Sequence, residues 1–142
     1  MSVKLPYFLA RIDSLTPQHK AKYGKMNVHQ MVCHCTDFYR LAFQELLLTD
    51  IPLHSAKEVV ILAKERKTVP APKDIDQVAG SGTKPTTFTN DIHLLKEKII
   101  AFYNCPEDVE FLPHFYFGSL TREQWMKTSN YHLNHHLRQF NA

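Results

Sequence analysis

The sequence predicts an all-α fold, a bundle of four principal helices with one extra helix and two long irregular connections. Three observations carry this. Apolar residues recur at three- and four-residue steps in several windows, two of those windows open on a capping signature, and no stretch alternates at period two for long enough to nucleate a sheet. The 142 residues, 44% of them apolar, suit a single domain spanning 1–142. A chain of this size buries roughly two-thirds of its unfolded surface, enough for a real core.

Taken in chain order, Tyr7 to Leu15 forms a short helix closed by Pro17. The second helix starts at Asn27, with Gln30 three residues on completing a capping box. Its stripe, Val28, Met31, Cys35, Phe38 and Ala42, continues to about Leu48. Ser55 to Lys67 is the extra helix, with Val59, Val60 and Ala63 inward and Lys57, Lys64 and Arg66 outward. Phe88 to Tyr103 follows, capped by Thr87 or Thr89 and striped by Ile92, Leu95, Ile99 and Phe102. The last helix repeats the capping box with Thr121 and Gln124, then lines Trp125, Met126, Ser129, Leu133, Leu137 and Phe140 along one side to its end. Helix breakers fill the two connections, Thr68 to Thr86 and Cys105 to Leu120. In the second, Glu110 to Phe117 is aromatic enough for a short extended piece.

Composition excludes several classes. A net charge of +3 is too small and scattered to imply nucleic acid or a membrane surface as partner. The aliphatic run Val59 to Ala63 is far short of the about 20 residues that cross a bilayer. Arg11 follows the few apolar residues after Pro6 at once, which is no secretory signal. The expected location is therefore the cytoplasm. Three cysteines, Cys33, Cys35 and Cys105, are too few for a disulfide scaffold and are read as reduced. Gly80-Ser81-Gly82-Thr83-Lys84 lacks the spacing of a phosphate-binding loop, and Pro85 blocks the helix that should follow, so it is read as a flexible loop. No Gly-x-Ser-x-Gly elbow exists for a serine hydrolase.

Nine histidines are the unusual feature, three of them (His132, His135 and His136) within five residues. Each residue turns a helix by about 100°. On that rotation Phe38, Leu41 and Met31 fall within about 60° of His34, which places His34 inside the apolar arc of its helix. His132 and His136 lie about 40° apart on the face that carries Trp125 and Phe140, whereas His135 sits at its margin. Imidazoles among Phe, Trp, Met and Leu need partners, because an unpaired buried polar group costs roughly 1–3 kcal/mol. One divalent ion would satisfy all three, since an i,i+4 pair reaches one ion and a third His from a facing helix completes the set. Three protein ligands leave a coordination position open, the arrangement of catalytic sites. The same histidines could instead bond to one another, to water or to Ser129 and hold no ion. In Cys33-His34-Cys35 each thiol diverges from His34 by about 100°, so the triplet cannot converge on one ion. Asp37, at the edge of the arc near His34, is either a partner for an imidazole N–H or an exposed helix charge. His114 is placed to line the mouth of a pocket or merely to pack its loop. His29 is read as a surface residue, and Glu45 lies on the His34 side but too far along the helix to serve as a base.

These residues carry a resemblance. Tyr23-Gly24-Lys25-Met26-Asn27-Val28-His29-Gln30-Met31-Val32-Cys33-His34 resembles the Trp-Gly-Lys-Met-Ser/Asn-x-x-Gln-Met-x-x-His stretch of the DinB/YfiT-like superfamily of metalloenzymes, with Tyr23 in place of Trp. Phe117-Gly118-Ser119-Leu120-Thr121, Trp125 and His132-Leu133-Asn134-His135-His136-Leu137-Arg138-Gln139-Phe140 are similar to the C-terminal pattern of a small bacterial subfamily within it, of unknown function. With a match from Arg11 to Pro17, the resemblance spans nearly the whole chain. It implies a four-helix bundle of that type, a homodimer, and one divalent ion, Zn or Ni, held by His34, His132 and His136. The activities it implies are those of S-transferases and isomerases that use low-molecular-weight thiols.

An open three-histidine site supports two chemistries. A bound thiol could lose its proton and attack an electrophile, or a bound water could become hydroxide and hydrolyse a substrate. No carboxylate is well placed as a base for the second, which tilts the reading toward a low-molecular-weight thiol S-transferase acting on small molecules. A metal-dependent hydrolase is the alternative enzyme. A non-enzymatic bundle that binds a metal or small ligand is the alternative from another class.

Overall fold

Five α-helices form within the residues that the structure, a computed structural model, describes: 4–49, 51–67 and 69–142. They are α1 (Lys4–Asp13), α2 (Val28–Ala42), α3 (Ala56–Lys64), α4 (Phe88–Tyr103) and α5 (Arg122–Gln139). Thr68, where the first irregular stretch was expected to open, lies outside the described residues. No strand forms among them. The aromatic piece 110–117 gives one antiparallel bridge, His114 to Gly118, closed by N–H···O bonds of 2.8 and 3.0 Å.

Local chemistry sets most helix starts. Complete capping boxes open α2 (Asn27 with Gln30), α3 (Ser55 with Glu58) and α5 (Thr121 with Gln124). Thr87, rather than Thr89, caps α4. α1 includes Lys4, earlier than the expected start at Tyr7, because Pro6 sits in the first turn, where its missing N–H leaves no helix bond unmade.

The end of α2 differs from expectation. The helix stops at Ala42 instead of near Leu48. Gln44 takes a left-handed φ of 63° and the Glu45 N–H returns to Arg40 O at 2.7 Å, a Schellman closure. The loop after α4 then seals the freed end, with Leu112 N–H donating to Ala42 O at 3.1 Å. Glu45, now off the helix, pairs with Lys98 at 2.5 Å.

Four helices close a ring: α2 packs on α4, α4 on α1, α1 on α5 and α5 on α2. Their stripes meet in one core that includes Phe8, Ile12, Met31, Tyr39, Leu95, Ile99, Phe102, Leu133, Leu137 and Phe140. α3 stands outside the ring; Val59 is its single buried residue, and Val60 is 40% exposed.

The connection between α3 and α4 is pinned in place. A short 3-10 turn, Lys73–Ile75, buries Ile75. Gly80 approaches Lys73 O so closely that a Cβ would lie 2.0 Å from it, so only glycine fits. Ser81 N–H donates to that same carbonyl at 2.9 Å, so the stretch read as a flexible loop is a hydrogen-bonded one. Two buried carboxylates hold its far end. Asp37 on α2 accepts from Thr83 N–H (2.9 Å) and Thr83 O–H (2.6 Å). Asp91 on α4 accepts from Thr86 N–H and O–H, both at 2.7 Å.

Candidate metal centre

α2 and α5 cross so that three imidazoles meet. Ring centroids of His34, His132 and His136 lie 4.6–5.0 Å apart, and one ligand nitrogen from each falls within 4.8 Å of the others. His34 and His136 are buried and His132 is partly so. The one-turn spacing on α5 sets the first pair. Phe38, one turn beyond His34 on α2, stacks on His132 at 4.5 Å and fixes its ring plane.

Hydrogen bonds decide which nitrogen of each ring is free. His34 Nδ1 lies 3.4 Å from Ile75 O, and a carbonyl only accepts, so Nδ1 carries the proton. His136 Nδ1 lies 2.8 Å from Gln139 Oε1, while the amide's Nε2 donates to Tyr23 O at 2.9 Å. That orients the amide and makes His136 Nδ1 a donor as well. Both rings therefore carry their lone pair on Nε2, which for His34 accepts from His132 Nε2–H. His34 Nε2 and His132 Nε2 are 3.1 Å apart, and His132 Nδ1 is buried with no partner among the described residues. An orphan of this kind costs about 1–3 kcal/mol.

These residues fit a metal. Nitrogens at roughly 2.0–2.1 Å around a tetrahedral ion stand about 3.3–3.4 Å from one another, close to the observed 3.1 Å. Burial pushes all three histidines below the ordinary range, and the neighbouring imidazoles push His132 and His136 further. Neutral rings with exposed lone pairs are the form that binds a cation.

The other expected site residues divide. His114 lines the same cavity, stacked on Phe117 at 4.7 Å. Its Nδ1 accepts from Tyr116 N–H and Phe117 N–H, and burial lowers its pKa to about 4. Asp37 is neither an imidazole partner nor an exposed charge. It is wholly buried, accepts both bonds from Thr83 and lies 3.6 Å from Arg40. Its charge acts on His34 through space, raising the imidazole pKa against the larger lowering by burial. Ser129 also holds no imidazole; it bonds Tyr39 O–H at 2.7 Å and Tyr103 O–H at 3.0 Å in a buried hydroxyl network between helices. His29 is not a free surface residue: Nε2 lies 2.6 Å from Asp91 Oδ2, and the Cys33 thiol donates to the same oxygen at 3.7 Å.

Gln139 and Gly24 were missed. Gln139 orients His136, and Gly24, at φ +83°, leaves room for it, since a Cβ there would meet Gln139 Nε2 at 2.6 Å. The i,i+3 spacing from His136 was the available signal for Gln139. Nothing local announced Gly24.

From the imidazoles a cavity of about 510 Å³ extends between α3 and the 112–117 segment. Tyr131 O–H donates to Ala63 O at 3.3 Å and ties the end of α3 to α5 across it. No helix among the described residues is long and apolar enough to cross a membrane. Neither a curated protein nor a solved structure matches the chain. A family model does, over residues 4–142, and the chain belongs to that family, described as protein of unknown function, DUF1569.

Proposed function

We propose that this protein is a metal-dependent enzyme of the DinB/YfiT-like four-helix-bundle type. In this reading His34, His132 and His136 hold one divalent ion, zinc or nickel, and the reaction joins a low-molecular-weight thiol to an electrophile. One observation supports it above the rest: three imidazole nitrogens converge at the floor of a cavity, two of them with the proton held on the opposite nitrogen. A divalent ion there supplies a Lewis acid that favours the thiolate over the thiol.

The chain's own contribution is placement. Ile75 O and Gln139 Oε1 hold two rings in the donating tautomer, Phe38 holds the third in plane, and Phe38, Phe117 and Trp125 give the cavity aromatic walls. A hydrolase needs a base near the attacking water, and among the described residues no Asp or Glu lines this cavity. That favours thiol transfer.

Elemental analysis of the purified full-length chain tests the metal step. About one zinc or nickel per chain is expected, lost in His34→Ala with far-UV circular dichroism unchanged. A panel of thiols against epoxide, halide and activated-ring electrophiles tests the chemistry. Metal-dependent conjugation supports transfer, ester or amide cleavage replaces it with hydrolysis, and a loaded protein with no turnover is a binding protein.

A further inference from the structure

The cavity has a chemical character of its own. At about 510 Å³ it lies within the roughly 300–1,000 Å³ of small-molecule sites. Its walls are apolar on two sides: Val59, Val60 and Ala63 of α3 face Phe38 and Trp125 of the helical ring. α3 has no extended packing on another helix, so its apolar face meets open space where a helix would normally meet a neighbour. Among the described residues the charged side chains that line it are Lys64, Lys67 and Lys127, with no carboxylate. Lys67 is held by Glu65 at 2.8 Å and Lys127 lies 3.8 Å from Glu123, but Lys64 has no carboxylate within ion-pair distance among the described residues.

We infer that the cavity binds an amphipathic organic monoanion. Its alkyl or aromatic body lies between α3 and the aromatic wall, and its carboxylate-like group sits at the mouth beside Lys64. The apolar body removes both walls from water, which is favourable in proportion to area. The anionic group meets an ammonium, Lys64, with no carboxylate in ion-pair distance among the described residues, while a cation of the same shape meets that like charge. This rests on the proposed site only in placing the inner end of the cavity at the imidazoles; the recognition elements, α3 and Lys64, are not ligands to an ion.

Trp125 is the only tryptophan in the chain and lines the cavity, so its emission reports occupancy. The full-length protein, as purified and after chelation, is titrated with octanoate, octylammonium and acetate. Octanoate is expected to give a saturable change in both forms, at least about tenfold tighter than octylammonium, and acetate none. Lys64→Gln weakens octanoate roughly two- to fivefold without weakening octylammonium. Ala63→Phe, which fills the space, abolishes the response. Equal affinity for the two C8 ions, a response to acetate as strong as to octanoate, or no saturable signal by fluorescence or calorimetry overturns the inference. So does octanoate binding seen only in the metal-loaded form and indifferent to Lys64→Gln, because the anion is then held at the imidazole end. A chain that binds metal but not octanoate keeps the metal reading and loses this one; a chain that binds octanoate but no metal does the reverse.

Discussion

Among the described residues, two clusters bring three metal-ligating side chains within 4.8 Å of one another, and both use α2: His34 with His132 and His136, and His29 with Cys33 and Asp91. By residue type the second is as good a metal set as the first. What separates them is whether the donor electrons are already used. Asp91 Oδ2 accepts from His29, Thr86 N–H and Cys33 together. Burial, then the Asp91 charge, pushes the Cys33 thiol up to about 12, so it keeps its proton. None of the three lines the cavity. In the first cluster the bonds to Ile75 O and Gln139 Oε1 fall on the far side of two rings, and the one hydrogen bond among the converging nitrogens joins two of the rings to each other, His34 Nε2 to His132 Nε2 at 3.1 Å. One cluster is a hydrogen-bonded joint between α2, α4 and the loop before it; the other is three imidazoles that line a cavity and bond, among their converging nitrogens, only to one another. Proximity alone does not make a site.

That contrast can be broken from either side. The largest effect belongs to the lone pairs: His132→Ala should take metal content from about one per chain to near zero by elemental analysis, while Cys33→Ala leaves it unchanged. Metal retained in the first variant and lost in the second would reverse the assignment. Next comes the orienting amide. Gln139→Leu should weaken metal binding about 10- to 100-fold in a competition titration with a chelating dye, and Gln139→Glu, which keeps an acceptor for His136 Nδ1, should recover much of it.

On the other side, Asp91→Ala removes the carboxylate that Thr86, His29 and Cys33 share. It should cost about 1–3 kcal/mol in urea unfolding with the metal content intact. The same carboxylate sets a pH dependence. Burial raises the Asp91 pKa, but the bonds from Thr86 and His29 outweigh it and hold the group below its ordinary value. A depressed folded pKa means stability that is complete above the usual carboxylate range and lost as pH falls through the folded value. Asp91→Asn should therefore flatten the acid limb of the stability curve, and an unchanged limb would remove Asp91 as its source. The smallest effect is chemical: native Cys33 should resist alkylation at neutral pH and react only on unfolding.

The parts legible from the chain were those decided within a few residues. The boxes at Asn27 and Thr121, the i,i+4 pair on α5 and the inward placement of His34 all follow from helix rotation over short spans. Asp37 and Ser129 were misplaced because their partners, Thr83 and the two tyrosines, come from segments whose approach no local pattern encodes. The stripe through Leu48 ran on past Ala42 because periodicity does not register a left-handed residue at Gln44 or the bond from Leu112 that closes the helix. His29 looked like a surface residue on its own helix and became half of a joint only when α4 lay beside it.

The sequence by itself determined the helical class, most helix starts and which faces carry imidazole, since these depend on backbone periodicity and on side chains reaching their own backbone. Only the tertiary structure decided which lone pairs stay free, which carboxylates are spent on loops, and that α3 stands off the ring to leave a cavity. Those outcomes depend on groups far apart in the chain competing for the same hydrogen bonds and the same space.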